Sequence, residues 1–115
     1  MNIEQFKRDL NQFIGTMEYH RLGLYNQVAT DGVLYFCEQA EAFWLFDEIS
    51  DFITFKTKEP FVTVIAESDG RKGRITFEDG NCNKIGSKEL DYTDLPKGKW
   101  KFFVTDNVVM LPSEY

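Results

Sequence analysis

Apolar residues recur at helical spacing near the start of the chain. The pattern predicts an amphipathic helix over residues 2–14, with an apolar face made of Ile3, Phe6, Leu10, Phe13 and Ile14. Asn2 is a favourable N-cap residue, and Gln5 three positions later completes a capping-box pattern. Residues 15–30 show only weak periodicity, so we expect a loop there.

A second helical pattern covers residues 31 to about 54. Thr30 or Asp31 is placed to cap it, and the negative charge of Asp31 suits the helix N-terminus. The stretch "AFWLF" at 42–46 is apolar on every side, which indicates burial on several sides. One central helix and two helices with a break near 40–42 both fit the pattern.

The periodicity changes from helical to alternating after Pro60. β-branched and aromatic residues then form short runs typical of strands, at 61–67, 74–78, 84–92, 99–105 and 108–111. Turn residues separate them, notably "SDGR" at 68–71 and Asp79-Gly80. We therefore expect one domain over residues 1–115. Its predicted fold is α+β, with two or three N-terminal helices packed on one face of an antiparallel meander of four or five strands.

Composition and charge narrow the range of partners. Of the 115 residues, 43% are hydrophobic and 16% aromatic, which favours a packed core over disorder. The net charge is −6. Because nucleic acids and anionic membranes are polyanions, we expect no direct binding to either. An acidic surface suits a basic protein partner, or simply solubility.

Cellular location is inferred from the cysteines and the apolar runs. Cys37 lies in the apolar second helical pattern, and Cys82 lies in a turn. The N-terminus has no apolar signal-peptide core, and no apolar run approaches the roughly 20 residues that span a bilayer. Free thiols in a reducing cytoplasm are the expectation.

The segment "EDGNCNKIGSKEL" (78–90) begins like a calcium-binding loop. Asp79, Asn81 and Asn83 supply oxygens at alternating positions, but Lys84 replaces the glycine at position six and Leu90 the glutamate at position twelve. No helical pattern flanks the segment. A hairpin turn is therefore predicted, with no metal and no cofactor.

An enzymatic function has little support in the sequence. A Cys–His nucleophile needs Cys37 and the single histidine, His20, to meet, but Cys37 occupies a core position where cysteine behaves as an inert hydrophobe. No phosphate loop, nucleophile elbow or zinc-protease helix occurs. We expect a non-enzymatic protein. A small-ligand or catalytic site in the loop of Tyr19, His20 and Tyr25 is one alternative.

The candidate partner-binding residues are five carboxylates of the second helical region: Glu38, Glu41, Asp47, Glu48 and Asp51. On a continuous helix, Glu41, Glu48 and Asp51 share a face. Asp47 and Asp51 form an i,i+4 like-charge pair, which slightly destabilises a helix and is retained more easily if a basic partner docks there. The alternative is an ordinary solvated face.

Basic residues cluster at two places. Arg71, Lys72 and Arg74 surround one turn. Lys97, Lys99 and Lys101 flank Trp100. Alternation along a strand puts Trp100 on the face opposite the two strand lysines, so stacking surface and charge do not coincide. The lysines are predicted to protect an exposed strand from aggregation.

Several short motifs together resemble a family of small uncharacterised bacterial proteins found on plasmids and in phages or prophages. They are "TDGV" at 30–33 followed by "WL" at 44–45, "YTDLP" at 92–96, and the terminal "LPSEY" at 111–115. The resemblance covers roughly residues 10–115 and carries no known activity or catalytic residue. It implies a mobile-element setting, in which small acidic domains often inhibit host defence proteins.

The leading hypothesis is thus a protein-binding module, in its sharper form an anti-CRISPR-like inhibitor that covers a basic nucleic-acid-binding surface with carboxylates. A structural homodimer that buries an apolar face is a further alternative. The sequence names neither the partner nor the oligomeric state.

Overall fold

The computed structural model describes residues 1–115 and has an α+β architecture. The helices are α1 (Ile3–Asn11), α2 (Asp31–Gln39) and α3 (Phe43–Phe55). The strands are β1 (Val28–Ala29), β2 (Phe61–Ser68), β3 (Gly73–Glu78), β4 (Lys84–Leu90), β5 (Gly98–Thr105) and β6 (Val108–Met110). A 3₁₀ turn follows at Pro112–Glu114. The predicted class and the predicted number of helices are confirmed.

Local capping starts two of the helices. The Asn2 side chain accepts the backbone N–H of Gln5 at 3.0 Å, and the Thr30 hydroxyl accepts the N–H of Val33 at 3.3 Å. The Asn2 cap agrees with the prediction, and Thr30 is the cap out of the two predicted candidates, Thr30 and Asp31. The capping box of α1 is not completed, because the Gln5 side chain donates to Asp9 at 2.8 Å instead.

The second helical region is broken into two helices. α2 ends at Gln39, and α3 begins at Phe43. Between them Glu41 adopts a left-handed conformation with φ of 52°, and the N–H of Ala42 donates to the carbonyl of Cys37 at 2.9 Å. A left-handed residue ends an α-helix and turns the chain. The structure therefore selects the two-helix alternative.

The sheet has six strands in the order β1-β6-β5-β2-β3-β4. It is mixed, because β1 pairs with β6 in parallel, at Val28 with Val108 and Ala29 with Val109. The predicted antiparallel meander of four or five strands was wrong in two respects. The two-residue β1 lies in the segment predicted as a loop, and β5 pairs with β2 rather than with its chain neighbour β4. Both pairings join distant segments, which alternation within a strand does not predict.

One face of the sheet packs against the helices to form a core of 22 buried apolar residues. Phe36 of α2 contacts Phe102 of β5 edge-on, with ring centroids 5.1 Å apart. Phe52 of α3 stacks on Phe77 of β3 at 3.8 Å. Gly86 permits this stacking, since a Cβ there would lie 2.5 Å from the Phe52 ring. β4 continues through Gly86, although its register against β3 shifts there, with Phe77 opposite Gly86 and Glu78 opposite Lys84.

The segment that resembles a calcium loop is a hairpin turn between β3 and β4, as predicted. One oxygen of the Asp79 carboxylate accepts the N–H groups of Asn81 and Asn83, both at 2.9 Å. These bonds lower the pKa of Asp79, first through Asn83 and then Asn81. The left-handed residue is Cys82, with φ of 66°, rather than Gly80.

Candidate functional site

The five candidate carboxylates lie in separate places. Glu38 is near the end of α2, and Glu41 is in the linker between helices. Only Asp47, Glu48 and Asp51 share α3. Glu41 therefore does not share a helix face with Glu48 and Asp51, because the chain turns at residues 40–42. The expectation of one acidic face through all three was wrong.

The carboxylates of α3 form one wall of an open groove of about 830 Å³, called the acidic groove below. The loop of residues 21–25 and Lys88 of β4 also line it. The groove is lined by Arg21, Leu22, Gly23, Leu24, Tyr25, Asp47, Glu48, Asp51 and Lys88. Gly23 allows the close approach of this loop to α3, since a Cβ there would lie 2.9 Å from the Asp47 carboxylate.

The charges in this groove are only partly neutralised within the chain. Lys88 donates to Glu48 at 2.6 Å, and the Arg21 guanidinium donates to the carbonyl of Tyr25 at 2.7 Å. Asp47 and Asp51 make no hydrogen bond or ion pair with other side chains. They lie one helical turn apart, so two carboxylates without protein partners project from the same face of α3.

Exposed apolar side chains border these carboxylates. The Leu24 side chain is 95% exposed, and Phe55 at the end of α3 is 61% exposed. The Tyr25 ring packs edge-on against Phe55, with centroids 5.2 Å apart. The groove thus combines carboxylates with apolar and aromatic side chains, of which the aromatic residues, but not Asp or Glu, belong to the types enriched at protein interfaces. The weak periodicity of residues 15–30 did not reveal the contribution of Leu24.

The aromatic loop does not gather its three rings into one site. Tyr19 is exposed, and Tyr25 lines the acidic groove. His20 pairs with Ala29 through two backbone hydrogen bonds of 2.8 and 2.7 Å, and its Nε2 lies 2.8 Å from Oδ1 of Asp31. The other Asp31 oxygen accepts the N–H of Met17 at 2.8 Å. The His20–Asp31 pair thereby fixes the loop to the start of α2.

The motifs "TDGV" and "LPSEY" meet at this helix N-terminus. The Glu114 carboxylate accepts hydrogen bonds from the Thr30 hydroxyl at 2.6 Å, the Leu111 N–H at 3.0 Å and the Gly32 N–H at 3.1 Å. A Cβ on Gly32 would lie 2.6 Å from Leu111 and 2.7 Å from the Glu114 carboxylate. A carboxylate at a helix N-terminus also interacts favourably with the helix dipole. The two motifs therefore have a structural role.

The motif "YTDLP" has a similar role between β4 and β5. The N–H of Thr93 donates to the carbonyl of Arg71 at 2.7 Å, and the Thr93 hydroxyl accepts the N–H of Leu95 at 3.1 Å. The carbonyl of Pro96 accepts the indole N–H of Trp100 at 2.8 Å. These bonds fix the connection that carries the chain back to the centre of the sheet.

The cysteines lack the environment of a nucleophile or a metal ligand. Cys37 is buried, and burial together with the nearby Asp47 and Glu38 carboxylates raises the pKa of its thiol to about 12. Cys82 is exposed, and both cysteines are free. No three His, Cys, Asp or Glu side chains are grouped to hold a metal ion. No helix has both the length and the apolar character needed to cross a membrane.

Comparison with known proteins identifies a family for this chain but no function. Searches of curated proteins and of solved structures return no match. One family model matches residues 4–115, almost the whole chain, and its description is a family of unknown function, DUF6876. The chain belongs to this DUF6876 family.

Proposed function

We propose that this protein is a non-enzymatic protein-binding module whose acidic groove receives basic side chains of a partner. The observation that most directly supports this proposal is the pair Asp47 and Asp51. These residues have no partner within the chain and lie beside the exposed Leu24 in an open groove. Carboxylates left without an internal role are available to an external cation.

The groove offers both parts of a protein interface. A carboxylate accepts two parallel hydrogen bonds from an arginine, a geometry that adds orientation to charge attraction. The apolar surface of Leu24, Tyr25 and Phe55 supplies area that excludes water from that contact, which strengthens it. The net charge of −6 adds long-range attraction for a basic partner and accelerates encounter.

Glu38 and Glu41 would act differently from the groove residues. Both side chains are exposed, and neither lines the groove. In the proposal they contribute to attraction at a distance, while Asp47, Glu48 and Asp51 make the direct contacts. Screening by salt weakens exposed charges at a distance more than it weakens desolvated contacts.

In its finer form, the partner is a host defence complex whose nucleic-acid-binding surface the groove covers. This form is supported by the resemblance to proteins of mobile elements and by the chain's acidity, since such surfaces are basic.

Two charge-reversal variants of equal net charge test the groove. Each carries two acid-to-lysine changes, D47K with D51K in the groove and E38K with E41K outside it, so each moves the net charge from −6 to −2. Proteins captured from bacterial lysate by wild type and by each variant are identified by mass spectrometry at low and high salt. Captured partners are then purified and titrated.

The groove variant is expected to weaken binding of the purified partner by at least about a hundredfold, because two contacts turn from attraction to repulsion. The control variant is expected to slow association and to change affinity by less than about tenfold. Equal loss of affinity in both variants would show that only the net charge determines binding, and would overturn the assignment of the binding site to the groove. Circular dichroism checks that both variants remain folded.

A homodimer is a second candidate, favoured by the sheet face that no helix covers. Phe61, Phe103 and Tyr115 lie on this face with ring centroids 5.2 to 5.5 Å apart, and Tyr115 is 75% exposed. Two such faces would bury aromatic surface on association. Light scattering at increasing concentration gives the mass directly, and a monomer throughout would reject this candidate.

A further inference from the structure

β5 has a free edge over part of its length, although it lies inside the sheet. It pairs with β2 along all eight residues, from Gly98 to Thr105. On its other side, β6 pairs only with residues 103–105, and the chain then turns away at Pro112. Residues 98–102 therefore lack a neighbouring strand on that side.

The backbone groups that face this edge follow from the register. The Val109 carbonyl accepts the N–H of Thr30, so the backbone N–H and C=O of Val109 point to β1. The backbone N–H and C=O of its neighbours Val108 and Met110 therefore point to β5. Their partners Thr105 and Phe103 accordingly direct their N–H and C=O groups to β6. Because these directions alternate along an antiparallel strand, Lys101 and Lys99 direct theirs to the open edge.

A cleft of about 240 Å³ lies along this edge. Residues of α1 line it on one side, and Pro112 and Ser113 line it as well. Its floor is apolar and includes Leu10, Phe36, Trp100, Phe102 and Leu111. The volume is below the range usual for small-molecule sites, roughly 300–1,000 Å³, and suits one or two apolar side chains.

Three lysines surround the cleft in a chain that is acidic overall. The Lys7 ammonium lies over the Trp100 ring, 5.9 Å from its centroid. Lys99 and Lys101 are exposed on the outer sheet face, while Trp100 is buried on the inner face, as alternation predicted. None of the three forms an ion pair with a carboxylate. Their charge favours an acidic occupant.

From the free edge, the apolar floor and the lysines, we propose that residues 98–102 bind an extended acidic peptide as an added antiparallel strand. The Lys99 and Lys101 backbones supply two donors and two acceptors to the peptide, as in other cases of strand addition. This site differs from the acidic groove in residues, in charge and in partner, and does not depend on it.

The proposed pairing specifies which positions of the peptide are acidic and which are apolar. Residues directly opposite in an antiparallel pair have side chains on the same face. Peptide residues opposite Lys99 and Lys101 therefore lie on the outer face, where acidic side chains meet lysine, and their N–H groups point to β5. The intervening residues point into the cleft and are apolar, and their N–H groups point to solvent.

Three synthetic peptides test this geometry. The first is a fluorescent hexapeptide that alternates glutamate and valine, and the other two carry N-methyl groups on only the glutamate or only the valine amides. Fluorescence anisotropy measures their affinity for the full chain. Methylation of the glutamate amides is expected to weaken binding by at least about tenfold, because it removes the donors that face β5. Methylation of the valine amides is expected to change it less than about threefold. Equal affinities, or the opposite order, would overturn the proposal.

Two double variants test the location of the site. K99E with K101E reverses charge at the edge, and K58E with K84E reverses two exposed lysines elsewhere, so that net charge is matched. The edge variant is expected to bind the unmethylated peptide at least about tenfold more weakly than the control variant. Hydrogen exchange of the Lys99 and Lys101 amides in wild type is expected to slow on binding.

Other occupants give distinct results. Binding of a single-stranded oligonucleotide in place of the peptide, with loss in the edge variant, would overturn the proposal. A molecular mass that rises with concentration in wild type but not in the edge variant would show that a second copy of the chain occupies the edge. That result would also overturn the proposal. Unaltered amide exchange at Lys99 and Lys101 with bound peptide would place the peptide elsewhere.

Discussion

Two groups of carboxylates in this protein have contrasting surroundings. Asp31 and Glu114, at the N-terminus of α2, accept hydrogen bonds from within the chain through both of their oxygens. Asp47 and Asp51, on α3, accept none. The first pair joins the C-terminus and the 16–20 loop to a helix start, whereas the second pair faces an open groove.

The difference in hydrogen bonding distinguishes carboxylates that stabilise the fold from carboxylates that are free to bind a partner. A carboxylate that satisfies buried N–H groups cannot be removed without leaving those groups unpaired. A carboxylate that faces water and a like charge contributes little to stability and can be changed with small effect. Stability and binding measurements on matched variants can therefore test whether each pair of carboxylates is structural or free to bind a partner.

The largest effect is expected from Glu114→Ala. It removes the acceptor of the Gly32 and Leu111 N–H groups and of the Thr30 hydroxyl, and it leaves the N–H of buried Gly32 unpaired. We expect the free energy of unfolding to fall by about 2–3 kcal/mol. Urea denaturation measures this, with Ser113→Ala as the neighbouring control, which should change stability by less than about 0.5 kcal/mol. A similar small change in both variants would contradict the structural role of Glu114.

A smaller effect, visible in its pH dependence, is expected from Asp31→Asn. The hydrogen bond with His20, then that from the N–H of Met17, lowers the pKa of Asp31 below its ordinary value of 3.8. A carboxyl with a lower pKa in the folded state stabilises the protein above its unfolded pKa and loses that contribution as pH falls through its folded pKa. Wild type should therefore lose stability as pH falls below about 4, and the variant should lose less.

Urea denaturation between about pH 5 and pH 2 gives this comparison. Some pH dependence will remain in the variant, because Asp69 and Asp79 also have lowered pKa values from hydrogen bonds with nearby backbone N–H groups. Asp91→Asn is the control, since this aspartate is exposed. Parallel curves for wild type and Asp31→Asn would refute the stabilising role of the His20–Asp31 pair.

The smallest stability effect, of opposite sign, is expected from D47N with D51N. Neutralising the pair removes an i,i+4 repulsion on α3, so stability should rise by up to about 0.5 kcal/mol. Thermal or urea denaturation measures the change, and D47N alone provides the intermediate case. A loss of more than about 1 kcal/mol would show that these carboxylates are structural after all and would remove the basis of the groove proposal.

Much of the local structure could be predicted from the sequence. The N-caps at Asn2 and Thr30, the hairpin turns at 68–71 and 79–83, and the alternation of Trp100 with Lys99 and Lys101 all depend on residues close together in the chain. The α+β class followed from helical periods before Pro60 and alternating periods after it. The extent of α1 was less accurate, because its last predicted turn lies beyond Asn11.

The candidate site could be predicted only in part. Asp47, Glu48 and Asp51 lie within residues 47–51 of one helix, so their shared surface was visible in the sequence. Glu41 was wrongly added to that surface, because the left-handed turn at 40–42 competes with a continuous helix that the pattern also allows. Leu24 and its neighbours in the groove lining come from a loop without periodicity, and nothing in that segment indicated where it would lie.

Local sequence accounts for most of the helices, strands and turns, since capping, turn chemistry and side-chain alternation act over a few residues. The strand β1 and the break between α2 and α3 are exceptions. How the segments meet depends on the tertiary structure. It placed β5 beside β2, paired β1 with β6, and brought Glu114 to a helix that begins 83 residues earlier at Asp31. Such contacts depend on packing between distant parts of the chain, and the short β6 that exposes the edge of β5 is a consequence of where Pro112 turns away from the sheet.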